Sequence, residues 1–177
     1  MTLTRPSLLC WLLLITACAA TPSPLPAPGA NAPTGPLDGA WRVQTVRYLW
    51  ADGEATIDPA LPGLFLFNGD HYSFAWHQGD EPQLDYATPW KPTDAEKVQS
   101  YNAIVVNAGR FWLAGDTLIT RPFVAKTPEF EGGEARFTYR VAGDSLWLVG
   151  GPIWNRRGEL DPGAERFSLR TLCIRER

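Results

Sequence analysis

Few residues in this sequence have side chains suited to metal or nucleophilic chemistry, because it holds only two histidines and three cysteines. The even spacing of His71 and His77 places both on one face of a β-strand. At about 3.3 Å per residue, however, they stand roughly 20 Å apart. Two ligands at that distance cannot hold one metal ion, and no set of Cys and His residues has the spacing of a zinc site. The sequence therefore predicts no metal centre.

Other catalytic patterns are equally sparse. The sequence has neither the Gly-x-Ser-x-Gly turn of serine hydrolases nor a Gly-rich phosphate loop. Asp80, Glu81 and Asp85 form an acidic segment, but acid–base catalysis would need one carboxyl group with a raised pKa. A solvated loop is the simpler interpretation. We predict no catalytic residue and no cofactor, and we favour a non-enzymatic role while leaving an enzymatic one open.

The first residues have the pattern of a secretory signal peptide. Arg5 supplies a positive charge, an apolar run follows over residues 8–15, and Thr16 and Ala17 are small. Signal peptides need these three features. The apolar run is shorter than the roughly 20 residues that span a bilayer. We therefore predict that residues 1–17 are removed on export.

The sequence Ile15-Thr16-Ala17-Cys18 resembles the lipobox of bacterial lipoproteins. The resemblance implies cleavage before Cys18 and acylation of that cysteine, with palmitate among the attached chains. Several acyl chains together anchor a protein stably to a membrane. Since no Asp follows Cys18, the resemblance also implies a lipid-anchored protein of the bacterial cell envelope, at the outer membrane. The alternative is an ordinary secretory signal with an incidental cysteine.

Residues 18–36 are predicted to be a tether. They hold six prolines, mostly among alanine, threonine, serine and glycine, and contain almost nothing that a hydrophobic core could bury. Closely spaced prolines favour an extended polyproline II conformation. The remaining residues, 37–177, have the length of one domain.

Charge and cysteine content narrow the class of protein further. The chain has 16 Lys and Arg against 19 Asp and Glu, a net charge of −3 without a basic run. This balance argues against a nucleic-acid partner. After loss of Cys10 and acylation of Cys18, only Cys173 remains, which excludes a disulfide within the domain. We interpret Cys173 as a buried, inert thiol in an apolar strand.

Short strands joined by tight turns fill most of the domain. Alternating apolar residues bounded by turn sequences such as Asn68-Gly69 are typical of β-hairpins. Eight strands are predicted, at residues 41–50, 63–67, 71–77, 110–114, 117–125, 135–142, 145–149 and 166–175. A closed barrel leaves none of these strands with an open edge. We therefore predict an all-β fold, an eight-stranded antiparallel up-and-down barrel, with residues 150–165 as a long loop.

One amphipathic helix is predicted between the third and fourth of these strands. Thr93 and Glu96 have the spacing of a capping box at its start. Apolar residues then recur at helical spacing, and Gly109 is a plausible stop. The members of this apolar stripe are Val98, Tyr101, Ile104, Val105 and Ala108.

The two ends of the domain resemble the lipocalins. Gly39-x-Trp41 opens the first strand and Arg170 lies in the last, like the Gly-x-Trp signature and closing arginine of that family. The resemblance implies that Arg170 packs across Trp41 in a cation–π contact. The motifs that follow, including Gly115-Asp116 and Gly143-Asp144, are in the order found in the bacterial lipocalin-like domain.

This resemblance implies that the barrel binds a small, mostly apolar molecule, and we predict that the protein is a monomer. The predicted ligand-binding residues are Tyr72, Phe74 and Trp76 on one strand face, with Tyr101 and Ile104 on the helix closing one end. Two other functions stay open: a protein-interaction or inhibitor module that uses the barrel loops, and a cyclase or isomerase acting on an apolar substrate. Inward aromatic residues also serve simply to fill a small barrel, so the sequence leaves both a cavity and a solid core open.

Overall fold

The computed structural model describes residues 35–164 and 166–176. The predicted signal peptide, the lipobox with Cys18 and most of the predicted tether lie outside them. The described residues form one α-helix, a short 3-10 helix at Pro128–Phe130 and nine strands. In chain order these elements are β1 (Gly39–Trp50), β2 (Gly53–Ile57), β3 (Gly63–Asn68), β4 (His71–His77), α1 (Asp94–Ala103), β5 (Ile104–Ala114), β6 (Thr117–Ala125), β7 (Glu134–Ala142), β8 (Ser145–Trp154) and β9 (Phe167–Arg175).

The sheet is antiparallel throughout and closes into a barrel of eight strands. Its order is β2-β1-β3-β4-β5-β6-β7-β8-β9, and a further pairing of β1 with β9 completes the circle. The predicted antiparallel eight-stranded barrel is therefore confirmed. β1 is long enough to pair with β3 over Gly39–Arg42 and with β2 over its second half. The ninth strand, β2, was not predicted. Because β2 precedes the helix in the chain, the strands on either side of the helix are the fourth and fifth, β4 and β5, and not the third and fourth.

The two ends of the barrel differ in their connections. Tight turns at residues 69–70, 115–116 and 143–144 all lie at the end where β1 begins and β9 ends, here called the turn end. The opposite end is here called the loop end. It carries the longer connections, which are residues 78–93 before α1, residues 126–133 and the segment that follows β8. The chain enters β1 at the turn end, so the predicted tether attaches there.

Apolar packing seals the turn end. Trp41 is completely buried, as is Leu37 just before β1. The Trp41 Nε1–H donates a hydrogen bond to the Leu37 carbonyl oxygen at 2.7 Å. Phe67, Tyr72, Phe111, Leu118, Leu146 and Cys173 are buried in the same core. The interior at this end is therefore solid.

The arginine that covers Trp41 is Arg175, and the prediction of Arg170 was wrong. Arg175 lies directly opposite Trp41 in the β1–β9 register, its Cζ 4.0 Å from the centre of the indole ring. It also donates a hydrogen bond from Nη1 to the Asp38 carbonyl oxygen at 2.6 Å. Arg170 lies opposite Arg47, five residues or about 16 Å further along β9. The cation–π contact between first and last strand exists, but a different residue makes it.

The helix is shorter than predicted. Thr93 and Glu96 form the expected capping box, but α1 ends at Ala103 and has no buried residue. Ile104 and Val105 belong to β5, where they pair with His77 and Trp76. β-branched residues favour the extended conformation, and pairing with β4 satisfies their backbone groups. The predicted apolar stripe is therefore split between an exposed helix and a strand.

Gly109 is not a helix stop but a buried position in β5. A Cβ atom built there would lie 2.1 Å from the Arg121 carbonyl oxygen, so only glycine fits. The register of β5 and β6 shifts beside it.

The predicted loop at 150–165 is shorter than expected. β8 continues to Trp154, so the first residues of that range are strand. Among the described residues, no helix is long and apolar enough to cross a bilayer.

Candidate functional site

A cavity of about 390 Å³ occupies the barrel between the sealed turn end and the loop end. This volume lies within the range of small-molecule binding sites. Inward side chains of β1, β4, β5, β8 and β9 supply much of the wall, and residues of the loop end form the rim. The main apolar lining residues are Tyr48, Phe65, Phe74, Trp76, Val105, Phe137, Leu148, Ile153 and Leu169.

Phe74 and Trp76 are the two predicted ligand-binding residues that line this cavity. Both are buried on the inward face of β4. The Phe74 ring packs at a tilt on Phe65, with centroids 4.3 Å apart, and meets Phe137 edge-to-face at 6.0 Å. These contacts hold the aromatic wall rigid, which lowers the entropy lost when an apolar molecule binds.

Tyr72 lies on the same face of β4 but deeper, within the core at the turn end, and does not line the cavity. Its hydroxyl group makes no hydrogen bond of normal geometry. Burial raises the pKa of this phenol, and interaction with the Thr120 hydroxyl offsets part of that effect. Tyr72 therefore forms part of the floor of the barrel as a neutral phenol.

Tyr101 and Ile104 also lie outside the cavity lining. Tyr101 is half exposed and connects α1 to the end of β6 through two reciprocal contacts. Its hydroxyl donates to the Lys126 carbonyl oxygen at 2.8 Å, and Lys126 Nζ donates to the Tyr101 carbonyl oxygen at 3.1 Å. The Lys126 ammonium group also lies 4.8 Å from the centre of the Tyr101 ring. Tyr101 thus positions the helix beside the rim, where Lys126 lines the cavity.

Three buried polar side chains also line the cavity: Asn107 on β5, Thr120 on β6 and Thr171 on β9. The Thr120 hydroxyl donates to the Ala135 carbonyl oxygen at 3.4 Å. The sequence pattern does not identify Asn107 as a lining residue, because it predicts a helix through this position. Thr171 and Leu169, two residues apart on β9, both belong to the lining.

A second helix contact fixes the segment that leads from β4 to α1. The Glu96 carboxylate accepts hydrogen bonds from the Ala87 and Thr93 backbone amides at 2.8 and 2.7 Å, and from the Thr93 hydroxyl. The side chain of Gln83 donates to the Ser100 carbonyl oxygen at 3.1 Å. This segment is therefore attached to the helix along its length.

We expect this attachment to weaken in acid. The donors from Ala87 and Thr93 lower the pKa of Glu96 below its ordinary 4.5. The stabilising contribution of this carboxylate is complete above pH 4.5 and disappears as the pH falls through the lowered pKa. In an NMR titration, the Ala87 and Thr93 amide protons should shift together in a step centred below pH 4.5. Glu96→Gln should abolish that step, and a step centred at or above pH 4.5 would contradict the assignment.

The acidic residues Asp80, Glu81 and Asp85 line an open groove of about 670 Å³ between their segment and α1. All three are exposed, which agrees with a solvated loop.

The two histidines lie at opposite ends of β4. The His71 Nδ1 atom lies 2.7 Å from an Asp70 carboxylate oxygen. Within residues 35–164 and 166–176, no three His, Cys, Asp or Glu side chains come together as metal ligands would.

Cys173 is buried in the core at the turn end. Burial raises the pKa of its thiol to about 12. The thiolate is the nucleophilic form of cysteine, so this side chain is unreactive at neutral pH. The interpretation of Cys173 as a structural thiol agrees with this position.

No protein-family model matches the chain, and no curated protein matches its sequence.

Proposed function

We propose that this protein is a lipocalin-like binding protein that holds a small, mostly apolar molecule inside its barrel. The observation that carries the proposal is the cavity of about 390 Å³ between the aromatic wall and the loop end. Burial of apolar surface drives binding in such a site. The tilted packing of Phe65 on Phe74 keeps the wall in place before a ligand arrives.

The order of sequence motifs supports the same proposal. Gly39-x-Trp41 begins the barrel, and an arginine of the last strand covers the indole ring, as the lipocalin resemblance implies. In this chain that arginine is Arg175. The contact closes the turn end, so a ligand reaches the cavity from the loop end.

We propose also that the protein is attached to the bacterial outer membrane through acylated Cys18. The lipobox-like sequence and the proline-rich segment at 18–36 support this part of the proposal. Since the chain enters the barrel at the turn end, the cavity then opens at the end opposite the attachment point. Such an arrangement suits exchange of ligand with the surrounding periplasm or with another envelope component.

The binding proposal is tested by filling the cavity. Leu169 lines it from β9, so Leu169→Trp places a larger side chain in the space a ligand needs. We expect this variant to lose at least tenfold in affinity for N-phenyl-1-naphthylamine, measured by the fluorescence increase of that apolar probe. Leu66→Trp is the matched control, because Leu66 is exposed on the outer face of β3. Equal probe binding by the wild-type protein and both variants would contradict the proposal.

A further inference from the structure

Asn107 is one of the three buried polar residues of the cavity wall, and it is the one with an amide side chain. It is 8% exposed, faces inward from β5 and lines the cavity. Among the hydrogen bonds of the described residues, none involves its side-chain amide, which is able to donate two and accept two. Neither atom of the amide is among the fully enclosed polar atoms that lack a partner, so the amide faces the open space of the cavity and is available to a ligand.

The neighbours of Asn107 leave space in front of the amide. Phe74 lies directly opposite on β4 and Ala125 directly opposite on β6. The small Ala125 side chain leaves the Asn107 amide accessible to the cavity, and Ala125 itself is part of the lining. Towards the loop end, Val105 and Trp76 form the next cross-strand pair. A molecule lying against Trp76 and Phe74 therefore also meets the amide.

We infer that Asn107 is a specificity-determining residue, and that the ligand is an apolar molecule carrying a carbonyl or hydroxyl oxygen that bonds to this amide. The inference rests on the proposed binding function and narrows its ligand class, since a plain hydrocarbon would leave the amide unpaired. Thr120 is less suited to this role because its hydroxyl already donates to the Ala135 carbonyl oxygen. Sites built to hydrogen-bond a ligand discriminate strongly against analogues that lack the polar group.

Two probes of nearly equal shape test this inference: 2-acetylnaphthalene, which carries a carbonyl oxygen, and 2-ethylnaphthalene, which does not. Their dissociation constants are measured by displacement of N-phenyl-1-naphthylamine from the wild-type protein and from Asn107→Leu. The preference for the ketone over the hydrocarbon should fall about five- to tenfold in Asn107→Leu, the effect of one neutral hydrogen bond. Comparing the same two probes in both proteins cancels the difference in their own desolvation.

Asn102→Leu is the matched control, since Asn102 is exposed on α1 and its side chain does not meet the interior. It should leave the preference unchanged. Without ligand, Asn107→Leu should be no less stable than the wild type, because the amide makes no hydrogen bond within the described residues that leucine would remove. A fall in the thermal midpoint of several degrees in both Asn107→Leu and Asn107→Ala would indicate a structural role and overturn the inference. Should leucine prevent folding, Asn107→Ala removes the amide without added bulk.

The outcomes separate the two proposals. If both probes bind and the preference for the ketone is the same in Asn107→Leu as in the wild type, the amide does not bond to the ligand. The inference about Asn107 then fails, while the proposed binding function stands. If neither probe nor N-phenyl-1-naphthylamine binds the wild-type protein, the binding function itself fails, and the inference fails with it.

Discussion

Replacing Trp41 with alanine should lower the free energy of unfolding by about 4 kcal/mol, in the range measured for large-to-small substitutions of buried aromatic residues. The indole ring is 0% exposed, and its removal would leave a cavity at the sealed turn end. It would also leave the Leu37 carbonyl oxygen without its hydrogen bond and deprive Arg175 of the ring on which it stacks. Urea unfolding followed by far-ultraviolet circular dichroism measures this loss.

Trp90→Ala is the control for this prediction. Trp90 is 95% exposed in the segment before α1, so its removal should change stability by less than about 0.5 kcal/mol. Trp41→Phe keeps most of the apolar volume but loses the Nε1–H donor, and an intermediate loss is expected. A Trp41→Ala variant about as stable as Trp90→Ala would show that the turn end does not depend on this residue.

Local sequence patterns predicted much of the barrel correctly. β4 has the bounds expected from its alternating aromatic residues, and the turns after Asn68, Ala114 and Ala142 lie where glycine allows a tight reversal. The capping box located the start of α1, because its hydrogen bonds join residues only three apart. Signals of this kind depend on the segment itself and on nothing distant in the chain.

Features set by distant contacts were predicted less well. Ile104 and Val105 fit both helical spacing and a strand, and pairing with β4 decides between them. β2 is exposed along most of its length, so it lacks the apolar alternation of a barrel strand and forms by backbone pairing with β1. The choice of Arg175 over Arg170 depends on the β1–β9 register, which shifts between Val43 and Thr45.

The same shift explains why only part of the candidate site was predicted. Before the register shift, the inward residues of β1 have odd numbers, Trp41 and Val43, and after it they have even numbers, Val46 and Tyr48. Simple alternation from Trp41 therefore does not identify Tyr48 as a lining residue. Tyr72 shares a face with Phe74 and Trp76, but depth along the barrel, which the sequence does not specify, places it in the floor. Asn107 could be recognised only once residues 104–114 were known to be a strand.

The outer surface of the barrel carries a buried carboxylate that the sequence did not single out. Glu134, at the start of β7, is only 2% exposed. One of its oxygens accepts from Arg121 at 3.0 Å and the other from Arg136 at 2.9 Å. The guanidinium groups of these arginines lie over the rings of Trp112 and Trp154, at 5.6 and 4.8 Å. The next residue, Ala135, faces inward and lines the cavity.

We expect Glu134→Ala to lower the free energy of unfolding by about 3 kcal/mol, because it removes the charge-assisted hydrogen bonds that a buried carboxylate makes with two arginines. Glu54→Ala is the matched control. Glu54 pairs with Arg47 on the barrel surface, where both side chains are about half exposed, so its loss should cost less than about 1 kcal/mol. Urea unfolding of the two variants in the same buffer provides the comparison.

The position of Glu134 also connects this prediction with the cavity. Without the carboxylate, the contacts that join Arg121 on β6 to Arg136 on β7 are lost beside Thr120 and Ala135, which pair across these strands and line the cavity. Glu134→Ala should therefore weaken binding of N-phenyl-1-naphthylamine at a temperature where the variant is still folded, whereas Glu54→Ala should not. Equal losses of stability in the two variants, together with unchanged probe binding, would show that Glu134 behaves as an ordinary surface charge despite its burial.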